Sequence, residues 1–102
     1  MSIKKQYLKT NGTCKVTFKL KEDIGNVERV QIPGEFNNWD LNCEPMKKLK
    51  SGGFSQTLNL ETGKSYQFRY LINGSVWENE PEADQFVPNG ISPGEENSVI
   101  EL

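Results

Sequence analysis

Two tryptophans in polar loops are the residues whose surroundings point most directly to chemistry. Trp39 lies in Gly34-Glu35-Phe36-Asn37-Asn38-Trp39-Asp40, and Trp77 is followed by Glu78, Asn79 and Glu80. An indole offers a large flat face with negative π density. A pyranose ring offers a face of weakly positive C–H groups, so the two stack. Asn carries both a donor and an acceptor, which matches a sugar hydroxyl. Asn37, Asn38, Asn79 and Asn97 are candidates by chemistry alone. For Asn37 and Asn38, inside a loop, a turn role is the expectation. Arg69 lies in Tyr66-Gln67-Phe68-Arg69-Tyr70, where alternation turns it and Gln67 away from the core. The same strand leads to the turn before Trp77. Each Trp also has a plainer reading, as a plug folded over one end of the core, and Arg69 as a solvated surface cation.

Other chemistries find less support. The chain has no His, so the commonest general base and the Ser-His or Cys-His pairs are missing, and no metal or cofactor is expected. Cys14 and Cys43 lack CxxC spacing and are expected as free thiols. Glycoside hydrolysis uses two carboxylates about 5 to 9.5 Å apart across a cleft. Glu78, Glu80, Glu82 and Asp84 are acids in a chain too small for a deep cleft, and are expected to be solvated. The protein is therefore read as not an enzyme.

The elements that must position these residues are short strands. The chain has 102 residues, enough for one domain. Turn signals recur about every ten residues: Ile24-Gly25-Asn26, Asn37-Asn38, Ser51-Gly52-Gly53, Thr62-Gly63, Asn73-Gly74, Pro88-Asn89-Gly90 and Pro93-Gly94. Asn73-Gly74 reads as a two-residue hairpin turn. Between turns, Cys14, Val16, Phe18 and Leu20 alternate with Lys15, Thr17, Lys19 and Lys21. Val30 and Ile32 continue the pattern. Phe54, Leu58 and Leu60 are in phase, and Tyr66, Phe68, Tyr70 and Ile72 line one face of a further strand. A last strand lies within Ser98 to Leu102, with Val99 inward. No segment shows a helical period. The expectation is an all-β antiparallel sandwich of about seven to eight strands, with residues 13–102 as one domain and 1–12 as a partly ordered arm.

Charge is segregated along the chain. Residues 1–21 hold six Lys and no acid, and residues 78–102 hold seven acids and no base. This places the first and last strands near each other. A net charge of −2 and a pI near 5.2 disfavour a nucleic-acid partner. No apolar run is long enough for a membrane span, and Met1-Ser2-Ile3-Lys4-Lys5 leads into no apolar stretch, so a cytoplasmic location is expected.

Taken in order, several segments resemble the family 48 carbohydrate-binding module, the isoamylase N-terminal or early-set domain. They are Gly34-Glu35-Phe36-Asn37-Asn38-Trp39-Asp40, Pro45-Met46, Tyr66-Gln67-Phe68-Arg69-Tyr70-Leu71-Ile72-Asn73-Gly74, Trp77-Glu78-Asn79, Ala83-Asp84, Val87-Pro88-Asn89 and Glu96-Asn97-Ser98-Val99. The resemblance spans roughly residues 14–102. It implies an immunoglobulin-like sandwich and a role in binding α-glucan (glycogen, starch or maltooligosaccharide). Such domains accompany branching and debranching enzymes, form the glycogen-binding domain of the AMP-activated protein kinase beta subunit, and occur in bacteria as free-standing proteins. The last type is the one expected here. By motif, Trp39 and Trp77 correspond to the stacking pair, and Arg69 and Asn97 to the residues that bond hydroxyls. Arg69 stands where the kinase subunit usually carries Lys. The turn before Trp77 is one residue longer, with Ser75-Val76, and Pro93-Gly94-Glu95-Glu96 is acidic where that subunit has small or apolar contact residues. The alternative is a module without sugar binding that braces a separately encoded glucan-active enzyme or pairs with itself.

Overall fold

Strand β2, Thr13–Leu20, shows why the chain folds as sheets. Cys14, Val16, Phe18 and Leu20 are buried, while Lys15 and Lys19 between them are exposed. The computed structural model describes residues 2–8, 12–20, 27–50, 52–90 and 94–102. Among them are ten strands, more than the seven to eight expected, in an all-β antiparallel fold. The turn expected at Ile24-Gly25-Asn26 lies outside the described residues, as do Ser51 and Pro93 of two others.

One layer has the order β1-β2-β5-β4, with β1 at Ser2–Tyr7, β4 at Lys47–Lys48 and β5 at Phe54–Glu61. β1 corrects the expected N-terminal arm. It pairs along its whole length with β2, from Ser2 opposite Lys19 to Tyr7 opposite Cys14. Its apolar content is low because backbone pairing holds it, together with an ion pair from Lys5 to Asp84 at 2.7 Å. Lys5 also donates to the Glu101 carbonyl at 3.1 Å. The basic first strand thus meets the acidic last segment, as the charge segregation implied.

Two three-stranded sheets face this layer. The first has the order β6-β10-β9, with β6 at Ser65–Phe68, β9 at Gln85–Pro88 and β10 at Glu96–Glu101. The second has the order β3-β7-β8, with β3 at Val30–Gln31, β7 at Tyr70–Ile72 and β8 at Val76–Glu78. Apolar side chains from both sides form one core, including Val16, Phe18 and Phe54 against Val30, Phe68, Tyr70 and Ile100. Phe18 meets Phe68 edge-on across the layers, with ring centroids 5.3 Å apart.

Residues 66–72, read from sequence as one strand, change partners at Arg69. β6 pairs with β10, and β7 pairs with β3 and β8. Leu71 faces Gln31 on one side and Trp77 on the other, and Phe68 faces Gly34 and Ser98 in the same way. Since Gln31 and Gly34 belong to one edge, β8 and β10 both flank the opposite edge. The turn at Asn73 also differs from expectation. Ile72 pairs with Val76, which leaves a three-residue loop, 73–75. Asn73 there accepts hydrogen bonds from the Glu28 and Arg29 N–H groups at 2.8 and 3.2 Å, so the turn serves a tertiary contact as well as the hairpin.

Candidate binding site

The outer face of this second layer carries the residues singled out above. Gln67, Arg69 and Leu71 alternate with the core residues Phe68 and Tyr70. Trp77 is opposite Leu71, and Asn97 is one residue from Ser98, which is opposite Phe68. Register therefore brings Trp77, Arg69 and Asn97 to one face.

Trp39 arrives from the other edge. After β3 the chain passes through Pro33 and Gly34 into a 3-10 turn, Glu35–Asn37. Gly34 lies flat against the strand: a Cβ there would meet the Gln67 carbonyl oxygen and the Phe68 Cβ at 2.7 Å. Asn37 then binds the loop to itself. Its Oδ1 accepts from Gly34 N–H at 3.0 Å and Asp40 N–H at 3.3 Å, and its Nδ2 donates to the Ile32 carbonyl at 2.9 Å. The expected turn role of Asn37 is thus filled. Asn38 and Trp39 both take positive φ, 58° and 56°. Asn tolerates this region, whereas for a bulky aromatic it is an outlier that surrounding contacts must hold. Those contacts include Trp39 N–H to the Gly34 carbonyl at 2.8 Å and Gln67 N–H to the Glu35 carboxylate at 2.7 Å.

A buried network fixes β8 from beneath. Glu80, expected among solvated acids, has no exposed surface. Its carboxylate accepts from the Tyr70 hydroxyl and the Glu82 N–H, both at 2.8 Å, and its own N–H donates to Ser98 Oγ at 2.9 Å. Burial, with the charge of Glu80 beside it, holds the Tyr70 phenol well above its ordinary pKa. Ser98 Oγ donates to Asn79 Oδ1 at 2.8 Å, and Asn79 Nδ2 donates to the Glu96 carbonyl at 2.9 Å. Asn79 is therefore committed to the fold. Glu78, Glu82 and Asp84 are exposed.

The result is one shallow cavity of about 420 Å³, lined by Trp39, Gln67, Arg69, Trp77, Asn89, Glu95 and Asn97. All four sequence candidates, Trp39, Trp77, Arg69 and Asn97, border it. Trp77 is 37% exposed, and Trp39 is half-buried. The Arg69 guanidinium lies over the Trp77 ring, 5.2 Å from its centroid. Its Nε is buried with no hydrogen-bond partner among the described residues. Asn97 is largely buried and donates to Gln67 Oε1 at 3.1 Å. Sequence reasoning turned Gln67 to the face of Arg69 without assigning it to the site, and it missed Asn89 and Glu95 as lining residues. The signal for Gln67 and Glu95 was alternation: Gln67 is two residues before Arg69, and Glu95 two before Asn97.

Among the described residues, no helix is long and apolar enough to cross a membrane. Cys14 is buried and Cys43 half-buried, both as free thiols, and burial raises the pKa of Cys43.

No family model matches the chain. It is similar to the 1,4-alpha-glucan branching enzyme GlgB of Halothermothrix orenii, with 34% identity over 62 residues. That match covers 61% of this chain and spans 10% of the length of the branching enzyme. The similarity thus relates the chain to one small part of a glucan-active protein.

Proposed function

We propose that this domain binds α-glucan chains without acting on them, as a module like the family 48 carbohydrate-binding domains. The observation that carries this reading is the meeting of Trp39, Trp77, Arg69 and Asn97 around one open cavity. In the proposed mode, the two indoles stack on glucose rings, and Arg69 and Asn97 bond hydroxyls at the rim. The volume lies within the range of about 300 to 1,000 Å³ usual for small-molecule sites. Similarity to part of a glucan branching enzyme supports the substrate class. The lining favours binding over hydrolysis, since among the described residues its one carboxylate is Glu95 and hydrolysis ordinarily uses two.

Much of the bound sugar stays in water on such an open face. The expected affinity is therefore weak, roughly 10 μM to 1 mM. Titration with maltoheptaose should change tryptophan emission, and the protein should be retained on a glycogen gel. A flat emission titration together with free passage through the gel would sink the proposal. Trp39→Ala separates it from the bracing alternative. Glucan binding predicts lost retention with unchanged assembly, whereas a protein-pairing module predicts changed assembly.

A further inference from the structure

We propose that Glu95 is a specificity-determining residue of this cavity. In this arrangement Glu95 and Arg69 hold one sugar hydroxyl between them, which admits neutral glucan and turns away glucan bearing phosphate. The proposal rests on the glucan-binding reading above and assigns a role to a residue outside the four sequence candidates.

The geometry of the pair motivates it. Arg69 Nη1 and Glu95 Oε2 are 4.0 Å apart. That separation is too long for a direct hydrogen bond, which needs about 2.7 to 3.2 Å. It suits one inserted oxygen. An oxygen at about 2.9 Å from the nitrogen and about 2.7 Å from the carboxylate subtends an angle of about 90°, roughly 20° short of the tetrahedral angle between an O–H bond and a lone pair, which a hydrogen bond tolerates. The two ends also set which group fits. A guanidinium only donates and a carboxylate only accepts. The inserted group must accept from one and donate to the other, as a hydroxyl does. A phosphate ester brings acceptors alone, so it would satisfy Arg69 while being repelled by Glu95.

Arg69 is packed in place, and the half-exposed Glu95 side chain is tethered by Asn89. Arg69 lies over Trp77, and its side chain is only 15% exposed. Glu95 is secured at the end of the β9–β10 hairpin. Asn89 N–H donates to its carbonyl at 3.0 Å, and Asn89 Nδ2 donates to its Oε2 at 3.2 Å. The carboxylate also balances the charge of Arg69, which would otherwise make the cavity wall an anion site.

The test uses Glu95→Gln, which keeps the size of the side chain and removes its charge. Two probes are titrated by calorimetry: maltoheptaose, and maltoheptaose phosphorylated on primary hydroxyls. Wild-type protein is expected to prefer the neutral probe. The variant should bind neutral maltoheptaose about tenfold more weakly, for the loss of one charge-assisted hydrogen bond. It should bind the phosphorylated probe more tightly, because Arg69 is no longer balanced. Opposite signs for the two probes are the signature, since a merely structural disturbance weakens both. Parallel weakening, or no change for either probe, overturns the role of Glu95 while glucan binding stands. Wild-type protein that binds neither probe overturns the glucan reading, and this proposal with it.

Discussion

Among the described residues, Glu80 is a fully buried acid without a basic partner: its carboxylate accepts from a phenol and one backbone N–H, and its own N–H donates to a serine hydroxyl. Such a group is stable only while its donors remain, because an unsatisfied buried polar atom loses its solvation without return. Tyr70→Phe removes one donor and leaves the packing volume nearly intact. It should cost about 1 to 3 kcal/mol in urea unfolding. Tyr66→Phe is the internal comparison. Its hydroxyl donates to the Glu61 carbonyl at 3.0 Å near the surface, and its loss should stay within about 0.5 kcal/mol. Equal costs at the two positions would deny Glu80 its structural role. The placement of Arg69 off the core face was legible in the sequence, because it alternates with the buried Phe68 and Tyr70. The role of Glu80 was not legible, since nothing in the sequence marks an acid whose donors are the Tyr70 hydroxyl and the Glu82 N–H.

At the scale of elements, the loop between β3 and β4 depends on one close approach. Gly34 is extended, so its requirement is space and not a special φ. In Gly34→Ala, the new methyl meets Gln67 and Phe68 and must push the loop off the strand. Overpacking of this kind costs about 1 to 3 kcal/mol. Because the same loop carries Trp39, the variant should also lose glycogen retention. Unchanged stability by urea unfolding would show that the loop can shift freely. Strands with one wet face were easy to read, since β2 alternates buried residues with partly or fully exposed ones. β1 escaped because few of its residues are apolar and its pairing is backbone-borne. The partner change at Arg69 was hidden because alternation runs through it without a break. The loop at 73–75 was misjudged because Asn73 answers to Glu28 and Arg29, far away in sequence.

For the molecule as a whole, the two layers are tied by more than the apolar core. Lys5 on β1 reaches Asp84, whose carboxylate also accepts from the Glu101 N–H at 2.7 Å. Partial burial raises the Asp84 pKa, but the Glu101 N–H and the Lys5 ammonium outweigh it, and the net value is below the ordinary one. A depressed carboxyl stabilises the fold above its unfolded pKa of about 3.9, and that contribution is lost as pH falls through the folded value. Asp84→Asn should therefore be less stable than wild type near neutrality, and the gap should narrow below about pH 4. Thermal melts across that range check this, and a gap that is constant with pH would refute it. The overall fold class was readable from turn spacing and alternation, because a two-layer sandwich demands both. Which acids and lysines meet depends on long-range topology, which spacing alone does not encode.

The handover at Arg69 sets a strict frame for the cavity. β8 and β10 dock end to end along the same margin of one continuous segment, so the distance from Trp77 to Asn97 is counted out by the residues between their docking points. A single inserted residue in 66–71 would slide one half past the other by about 3.3 Å and turn the downstream side chains over. Along this one segment, the ruler that spaces its aromatic and polar groups admits no extra mark.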